Sequence, residues 1–243
     1  FGKWHLGDAP PYLPENRGFE HVVRHGGGGI SQTPDYWGND YFDDTYFVNG
    51  QPRQFEGYCT DVWFEQAMQF IENDDQRPFL CWISPNAPHT PLNVEDQWWA
   101  PYRDQVDEQR ARFFGMIANI DHNFSKLIQF LDESDLAQNT IVVFMSDNGT
   151  ATGVDIDDQQ FVISGFNASM RGKKCSVYEG GHRVPVFIRY PEGGLTSGRD
   201  VHPLTGAVDF MPTLLDLCGV EIPADRTFHG QSLAPLLQGR QQP

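Results

Sequence analysis

In residues 107–133, apolar side chains recur at alternating steps of three and four residues. They are Phe113, Ile117, Ile120, Phe124, Leu127 and Leu131. This spacing lines one face of an α-helix, so it predicts a long helix there. Residues 60–72 carry a similar apolar stripe and begin with Thr60, which predicts a shorter helix with a capping residue. Residues 208–218 predict a third helix, because Gly219 follows them as a C-cap residue.

Three continuous apolar runs have the length of strands: residues 79–83, 141–145 and 184–190. Continuous apolarity over so few residues is typical of strands buried on both faces. Helix and strand patterns alternate along the chain, which favours an α/β fold with a mostly parallel sheet covered by helices. Residues 1–58 are rich in Gly, Pro and Asn. We expect long loops there, with one or two short strands, for example at residues 41–48.

The second of these strands ends in side chains that carry oxygen. Asp147 and Asn148 follow it, and Gly149 permits the turn that lets both side chains converge on one object. Carboxylate and amide oxygens suit hard cations such as Ca²⁺ or Mg²⁺ rather than zinc. Asp-Asn-Gly is also a common turn sequence. Because ligands of open α/β sheets bind outside the carboxyl ends of the strands, we predict a cation site here.

The charge balance narrows the class of partner. The chain carries 17 lysine and arginine residues against 33 aspartate and glutamate residues, a formal net charge of −16. This balance argues against a nucleic-acid backbone or an anionic membrane surface as the main partner, but not against a small anionic substrate. No apolar run approaches the roughly 20 residues of a membrane span, so we expect no membrane segment. Acidic pairs at residues 43–44, 74–75 and 157–158 are assigned to solvated loops.

Four basic side chains are candidates for binding an anionic reaction centre. Lys3 and His5 flank Trp4 in a strand-like stretch, where alternation turns both toward one side. His89 lies between two prolines, which stiffen the loop after the first predicted strand. Lys174 precedes the third predicted strand. Plainer interpretations are an exposed terminus, a structural loop histidine and a solvated surface lysine.

Five motifs occur in the order seen in type I sulfatases, at residues 2–7, 87–91, 139–149, 174–185 and 208–213. Along nearly its whole length the chain therefore resembles the arylsulfatases of the alkaline-phosphatase-like superfamily. The resemblance implies that fold in partial form, a large, mostly parallel mixed sheet sandwiched by helices. It further implies that residues 1–243 are a partial catalytic domain without its N-terminal part. Residues from about 200 to 243 would lead towards a smaller C-terminal subdomain.

The resemblance implies a sulfuric ester hydrolase that cleaves sulfate monoesters with a formylglycine nucleophile and Ca²⁺, in preference to Mg²⁺. Lys3 and His5 would lie beside the formylglycine. His89 and Lys174 would hold the sulfate, and one of them would protonate the departing alcohol. Asp147 and Asn148 would supply oxygen ligands to the cation. The substrate would be a small-molecule or carbohydrate sulfate ester.

Two motifs of the family are missing from this sequence. The formylglycine arises from the cysteine of a Cys-x-Pro-x-Arg motif, and none of the four cysteines has that pattern. The acidic pair that completes the family's Ca²⁺ site is also missing. Because both motifs precede residues 2–7 in the family, we expect an N-terminally truncated chain, an upstream formylglycine and no turnover by this chain alone. Two alternatives are a phosphoesterase or phosphonate hydrolase of the same superfamily, and a non-catalytic homologue used for binding.

Overall fold

The computed structural model describes residues 1–73, 77–195 and 198–240. The chain divides into two compact units. The first unit is formed by Phe1–Phe130 and Gly149–His182, and the second by Leu131–Asn148 and Arg183–Pro243. The acidic loop expected at residues 74–75 lies outside the described residues.

The α-helices before residue 183 in the described ranges are α1 (Cys59–Glu72), α2 (Asp96–Trp99), α3 (Glu108–Glu133) and α4 (Glu179–His182). Two of these four helices, α1 and α3, begin within a residue of where the hydrophobic pattern predicts them, whereas the four-residue helices α2 and α4 were not predicted. The apolar stripe of α1 is buried, and Trp63 at its centre is fully buried. Thr60 is not the N-cap of this helix, because Tyr58 occupies that position without a side-chain capping bond. Thr60 is instead buried in the first turn.

The first strands of the chain are β1 (Val23–Arg24), β2 (Thr45–Val48) and β3 (Gln51–Gln54), which form one antiparallel sheet. β2 confirms the strand expected near residues 41–48, and Tyr46 pairs with Arg53 of β3. The hydrophobic pattern does not predict β3, because its residues are all exposed and include Pro52. Asn49 and Gly50 join the two strands with φ of 47° and 80°. These are the left-handed angles of a two-residue hairpin turn.

A second hairpin flanks the acidic pair at residues 157–158, which lies exposed between its strands as the sequence predicts. It consists of β5 (Val154–Ile156) and β6 (Val162–Gly165), which pair antiparallel. Within the first unit, the buried guanidinium of Arg110 connects this hairpin to α3. Its Nη1 donates to Ser164 Oγ at 2.9 Å and its Nη2 donates to Asp155 Oδ2 at 2.8 Å.

Aromatic side chains from the loop-rich beginning of the chain supply much of the first unit's core. Tyr41 and Tyr46 are buried, and the Tyr46 ring lies 4.2 Å from that of Trp63. Asp44 is buried among them, so the expectation of a solvated acidic pair is wrong for Asp44, whereas Asp43 is exposed as expected. Its carboxylate accepts bonds from the N–H groups of Asp40 and Tyr41 and from the Tyr46 hydroxyl. These donors satisfy the buried carboxylate, although burial raises its pKa.

Residues 79–83 do not form the buried strand that their apolar run predicts. Trp82 is 56% exposed. The end of this run lies beside the first residue of the chain. The amino group of Phe1 donates to Trp82 O at 2.6 Å, and Ser84 N donates to Phe1 O at 2.9 Å. Regular pairing here amounts, in the described residues, to one parallel bridge between Gly2 and Ser84. An apolar run alone does not reveal that one side of the segment stays open.

The second unit contains the antiparallel pair β4 (Val142–Met145) and β7 (Val186–Arg189), with α5 (Phe210–Leu217) and α6 (Ala234–Leu237). Both predicted strands are confirmed, but their side chains are not buried as expected. Phe144 is 36% exposed and Phe187 is 65% exposed. Gly219 follows α5 with φ of 67° and ends the helix as the sequence predicts.

The elements together make a mixed α/β protein. The named strand pairs are antiparallel, whereas Gly2 forms parallel bridges with Arg24 and with Ser84. None of the helices in the described part of the chain is both long and apolar enough to cross a membrane.

Candidate active site

Two neighbouring segments fix the backbone around Lys3. Its N–H donates to the Ser84 carbonyl at 2.7 Å, and the Ser84 hydroxyl donates to the Lys3 carbonyl at 2.5 Å. On the other side, Gly2 N donates to Val23 O at 2.9 Å. A Cβ on Gly2, which has φ of 102°, would clash with the Ser84 carbonyl, so this close approach requires glycine. The backbone that carries Lys3 is therefore held from both sides.

His5 follows in a left-handed backbone conformation, with φ of 57°. The strand alternation predicted to turn Lys3 and His5 toward one side therefore does not reach His5. Its exposed ring lies against the glycine run at residues 26–29. A Cβ on Gly28 would stand 2.5 Å from His5 Nε2, so the absence of a side chain there makes room for the imidazole.

The loop after residues 79–83 holds His89 by its backbone and by its ring. Its N–H donates to Asn86 O at 2.8 Å, and the Tyr41 hydroxyl donates to His89 O at 2.9 Å. Nδ1 lies 2.8 Å from the Thr90 carbonyl. Because a carbonyl only accepts, Nδ1 carries the hydrogen in this contact. Nε2 is then the nitrogen that can exchange a proton with another molecule.

Lys174 is half-buried in the loop between β6 and α4. Its N–H donates to Thr150 O at 2.9 Å, and Gly149 N donates to Gly181 O at 3.0 Å. A Cβ on Gly149 would clash with the Gly180 carbonyl, so only glycine fits where these backbones meet. These bonds hold the loop of Lys174 beside the segment that begins at Gly149.

Arg171 stabilises the same loop, and the sequence alone does not single it out. Its guanidinium carbon lies 3.8 Å from the centre of the Tyr178 ring and 4.9 Å from that of Phe161. Its Nε donates to Gln159 O at 2.9 Å. The aromatic partners lie ten residues before and seven residues after Arg171, and none of the three belongs to a helix or strand. Their convergence therefore becomes visible only in the folded chain.

Asp147 and Asn148 lie at the end of β4 in the second unit. The Ser146 hydroxyl donates to the Asn148 carbonyl at 3.0 Å, which tightens the turn. The Asp147 carboxylate is exposed, and it and the Asn148 amide carry oxygens of the kind that a hard cation such as Ca²⁺ takes. Ca²⁺ takes about six to eight oxygen ligands, so these two would form part of a larger set. The described ranges hold no group of three or more His, Cys, Asp or Glu side chains suited to a metal ion.

The first unit links two of the predicted basic residues through Ser84. Ser84 bonds to the backbone of Lys3 in both directions and begins the loop that carries His89. His5 lies two residues after Lys3 in the chain. Lys174 belongs to the same unit, whereas the two candidate cation ligands belong to the second unit. That these six residues act at one reaction centre is what the family resemblance implies, and it stays a prediction.

His25 is a buried histidine that the sequence analysis does not identify. It is 1% exposed, and its Nδ1 lies 2.8 Å from the Gly26 carbonyl. Burial lowers the pKa of His25, and the positive charges of Lys3 and Arg24 lower it further. The bond to Gly26 and the Asp35 carboxylate oppose this shift without reversing it. His25 is therefore neutral at pH 7.

Comparison with known proteins adds information at the level of the family. A family model described as Sulfatase matches residues 1–220. The chain is 29% identical over 253 residues to N-acetylgalactosamine-6-sulfatase of Homo sapiens, covering 98% of this chain and 46% of that protein. It is also 29% identical over 259 residues to an arylsulfatase of Hemicentrotus pulcherrimus, covering 100% of this chain and 44% of that protein. The chain thus spans less than half the length of these curated relatives.

Solved structures confirm the predicted alkaline-phosphatase-like fold. Ps i-CgsB in complex with k-i-k-neocarrahexaose is similar with a TM-score of 0.83 and 28% identity, covering 96% of this chain and 53% of that chain. The same protein without that ligand gives a TM-score of 0.84 at 27% identity, covering 99% of this chain and 54% of that chain. The structural neighbours include sulfatases with the alkaline-phosphatase-like fold, which this chain represents in part.

Proposed function

Because the chain belongs to the sulfatase family, we propose that the full-length protein hydrolyses sulfate monoesters to an alcohol and sulfate. One observation carries the proposal from the structure. Ser84 begins the loop of His89 and is hydrogen-bonded to the backbone of Lys3, so the segments that carry a cation and an imidazole are fixed to each other. A preorganised framework of this kind is what an anionic reaction centre requires, since donors fixed in advance need no rearrangement during reaction.

Lys3 and Lys174 supply the positive charge for the sulfate group. During cleavage the bond between sulfur and the ester oxygen breaks, and negative charge grows on that oxygen. Ammonium groups that are already held toward this charge lower the barrier more than mobile surface lysines would. The backbone bonds of Lys3 to Ser84 and of Lys174 to Thr150 restrict both side chains at their base.

His89 protonates the departing alcohol. Its Nδ1–H is bonded to the Thr90 carbonyl, so the transferred proton is the one on Nε2. That proton moves to the ester oxygen as the bond to sulfur breaks, so the alcohol leaves neutral. A positioned acid of this kind contributes roughly 10²–10⁴ in rate. The His5 ring lies against Gly28. In the proposed mechanism it stands beside the nucleophile and accepts a proton from it.

Two groups complete the proposed site. A formylglycine on a cysteine outside this chain would supply the nucleophilic oxygen. Ca²⁺, held in part by the oxygens of Asp147 and Asn148, would supply positive charge to the sulfate oxygens. The donor chemistry of these two side chains supports the assignment, since both are hard oxygen ligands.

The proposed substrate class is a sulfated carbohydrate. Two relatives support it: one has the name N-acetylgalactosamine-6-sulfatase, and the other, Ps i-CgsB, has been solved with a neocarrahexaose bound. The net charge of −16 is compatible with such a substrate, because salt screens distant surface charges over about 8 Å. The lysines in the site then dominate the local field.

The proposal is tested by sulfate release from the full-length protein. Ion chromatography would quantify inorganic sulfate from sulfated saccharides, alongside phosphate and phosphonate esters as competing substrates. Lys174→Ala should lower kcat/KM for the sulfate ester by about 10²-fold or more. Lys173→Ala is the matched control, since it removes the neighbouring lysine, and should leave kcat/KM nearly unchanged. Turnover of phosphate or phosphonate esters in preference to sulfate esters, or equal losses in both variants, would contradict the proposal.

A further inference from the structure

Trp37 stands almost completely in solvent, with 96% of its surface exposed. A single exposed hydrophobic residue on a protein surface needs no explanation by itself. Trp37 differs because the turn that presents it is fixed at its base. Asn39 N donates to Tyr36 O at 3.3 Å, which closes a turn with Trp37 and Gly38 at its corner. Gly38 has φ of 95°, the angle that glycine provides at the third position of such turns.

The carboxylate of Asp35 anchors this turn. It accepts the N–H of Gly26 at 3.0 Å, the N–H of Ser31 at 3.1 Å, and the side-chain amide of Asn39 at 3.2 Å. Asn39 is buried and bonds in turn to both backbone groups of Thr45 in β2, at 2.9 Å each. The turn is therefore attached to the glycine run on one side and to the first sheet on the other.

The same glycine run connects the turn of Trp37 to the ring of His5. The Asp35 backbone fills the space beside Gly26, and the His5 ring fills the space beside Gly28. Two residues of extended chain span at most about 7 Å. Gly26 and Gly28 are two residues apart, as are Asp35 and Trp37, so two such spans join the backbone at Trp37 to the His5 ring, a path that a hexasaccharide is long enough to bridge.

We propose that Trp37 is a stacking platform for a sugar ring of a sulfated oligosaccharide, at least one unit away from the sulfate ester that is cleaved. This inference rests on the proposed function. The flat face of an indole matches the apolar C–H face of a pyranose, while the hydroxyl groups at the ring's edge stay in water. Gln32 and Asp40, which are exposed polar residues close to Trp37 in the chain, suit those hydroxyl groups better than a continuous apolar patch would. A rigid platform also loses little conformational entropy on binding.

The kinetic test compares a long and a short substrate of the full-length protein. With a carrageenan hexasaccharide or a chondroitin 6-sulfate hexasaccharide, Trp37→Ala should raise KM about tenfold, because covering one indole face removes apolar area from water. The value of kcat should stay unchanged, since the platform binds substrate and transition state alike. With nitrophenyl sulfate, neither constant should change. Trp37→Phe should keep most of the affinity, whereas Trp37→Leu should behave like the alanine variant, because leucine is apolar but not flat.

Calorimetric titration with the same hexasaccharides separates this inference from the proposed function. If the protein releases no sulfate, an affinity that falls about tenfold in Trp37→Ala still supports the platform. Equal affinity in the wild type and Trp37→Ala, or no binding of either hexasaccharide to the wild type, would overturn it. Equal rises in KM for the hexasaccharide and nitrophenyl sulfate would also overturn it. The melting temperature of Trp37→Ala should match the wild type, because the indole has little contact to lose.

Discussion

Replacing Arg171 with glutamine should loosen the loop that carries Lys174. Arg171 lies between the rings of Tyr178 and Phe161, at 3.8 Å and 4.9 Å, and bonds to the carbonyl of Gln159 at 2.9 Å. Glutamine is shorter and uncharged, so it keeps neither ring contact nor the bond in the same geometry. The loop then loses the connection between residues 159–161 and residues 171–178.

The size of the effect follows from these three contacts. A cation over an aromatic ring contributes about 0.5–1 kcal/mol at an exposed site. A hydrogen bond from a charged donor contributes about 1.5–3 kcal/mol, and less where solvent reaches it. For the partly exposed Arg171 we expect a loss of about 2 kcal/mol in the free energy of unfolding. The kcat/KM for the sulfate ester should fall as well, because Lys174 is then less well oriented.

Urea unfolding monitored by fluorescence and circular dichroism measures this loss in the full-length protein. Arg53→Gln is the matched control, since Arg53 also lies over one ring, that of Phe55 at 5.2 Å, but on the exposed strand β3. It should cost less than about 0.5 kcal/mol, as for most surface substitutions. A loss in Arg171→Gln no larger than in Arg53→Gln would refute the view that Arg171 holds the loop.

The remaining predictions address the cation site, His5 and His25. Asp147→Ala should weaken Ca²⁺ binding, measured by calorimetry, more than Asn148→Ala, because it removes a charged ligand; equal losses would argue against the assignment. Gly28→Ala should displace the His5 ring and lower kcat/KM with little change in melting temperature, since its Cβ would stand 2.5 Å from Nε2; unchanged kinetics would separate His5 from the reaction. The folded pKa of His25 lies below the ordinary 6.5, so the unfolded state binds the proton first. Stability should therefore fall by up to about 1.4 kcal/mol per pH unit below 6.5. His25→Asn should flatten this slope in urea titrations at pH 7.5 and pH 5.5, and an unchanged slope would contradict the neutral buried state.

The hydrophobic pattern predicts long elements well and solvent exposure poorly. The periodicity of residues 107–133 is repeated over many turns, so it locates α3 to within a residue at its start. The run at residues 79–83 is apolar in the same way as a buried strand, yet Trp82 remains exposed. Whether a second segment covers an apolar run depends on distant parts of the chain, which local composition does not contain.

Turn-forming residues can also be recognised in the sequence, but the hydrophobic pattern does not reveal them. Asn49-Gly50 is a strong hairpin sequence, and it joins β2 to the wholly exposed β3. Asp44 illustrates a different difficulty. An acidic pair between turn residues predicts solvent exposure, yet Asp44 is buried. Its burial depends on the hydroxyl of Tyr46 and on two backbone N–H groups that only the folded loop brings together.

The candidate site could likewise be predicted only in part from the sequence. Lys3, His5, His89 and Lys174 can be named from the sequence because each belongs to a motif. The hydrogen bonds through Ser84, and the assignment of Nε2 as the outward nitrogen of His89, require the structure. Supporting residues such as Arg171 act through their neighbours, so no spacing in the sequence reveals them.

The most direct test of the central claim is the dependence of the His89→Ala defect on the leaving group. Hydrolysis of a sugar sulfate needs a proton on the departing oxygen, whereas a nitrophenol leaves readily as its anion. In the full-length protein, His89→Ala should therefore slow the sugar sulfate by roughly 10²–10⁴ and the nitrophenyl sulfate far less. Equal losses with both substrates, together with a selective loss in Lys174→Ala, would contradict the account and assign the proton to the lysine.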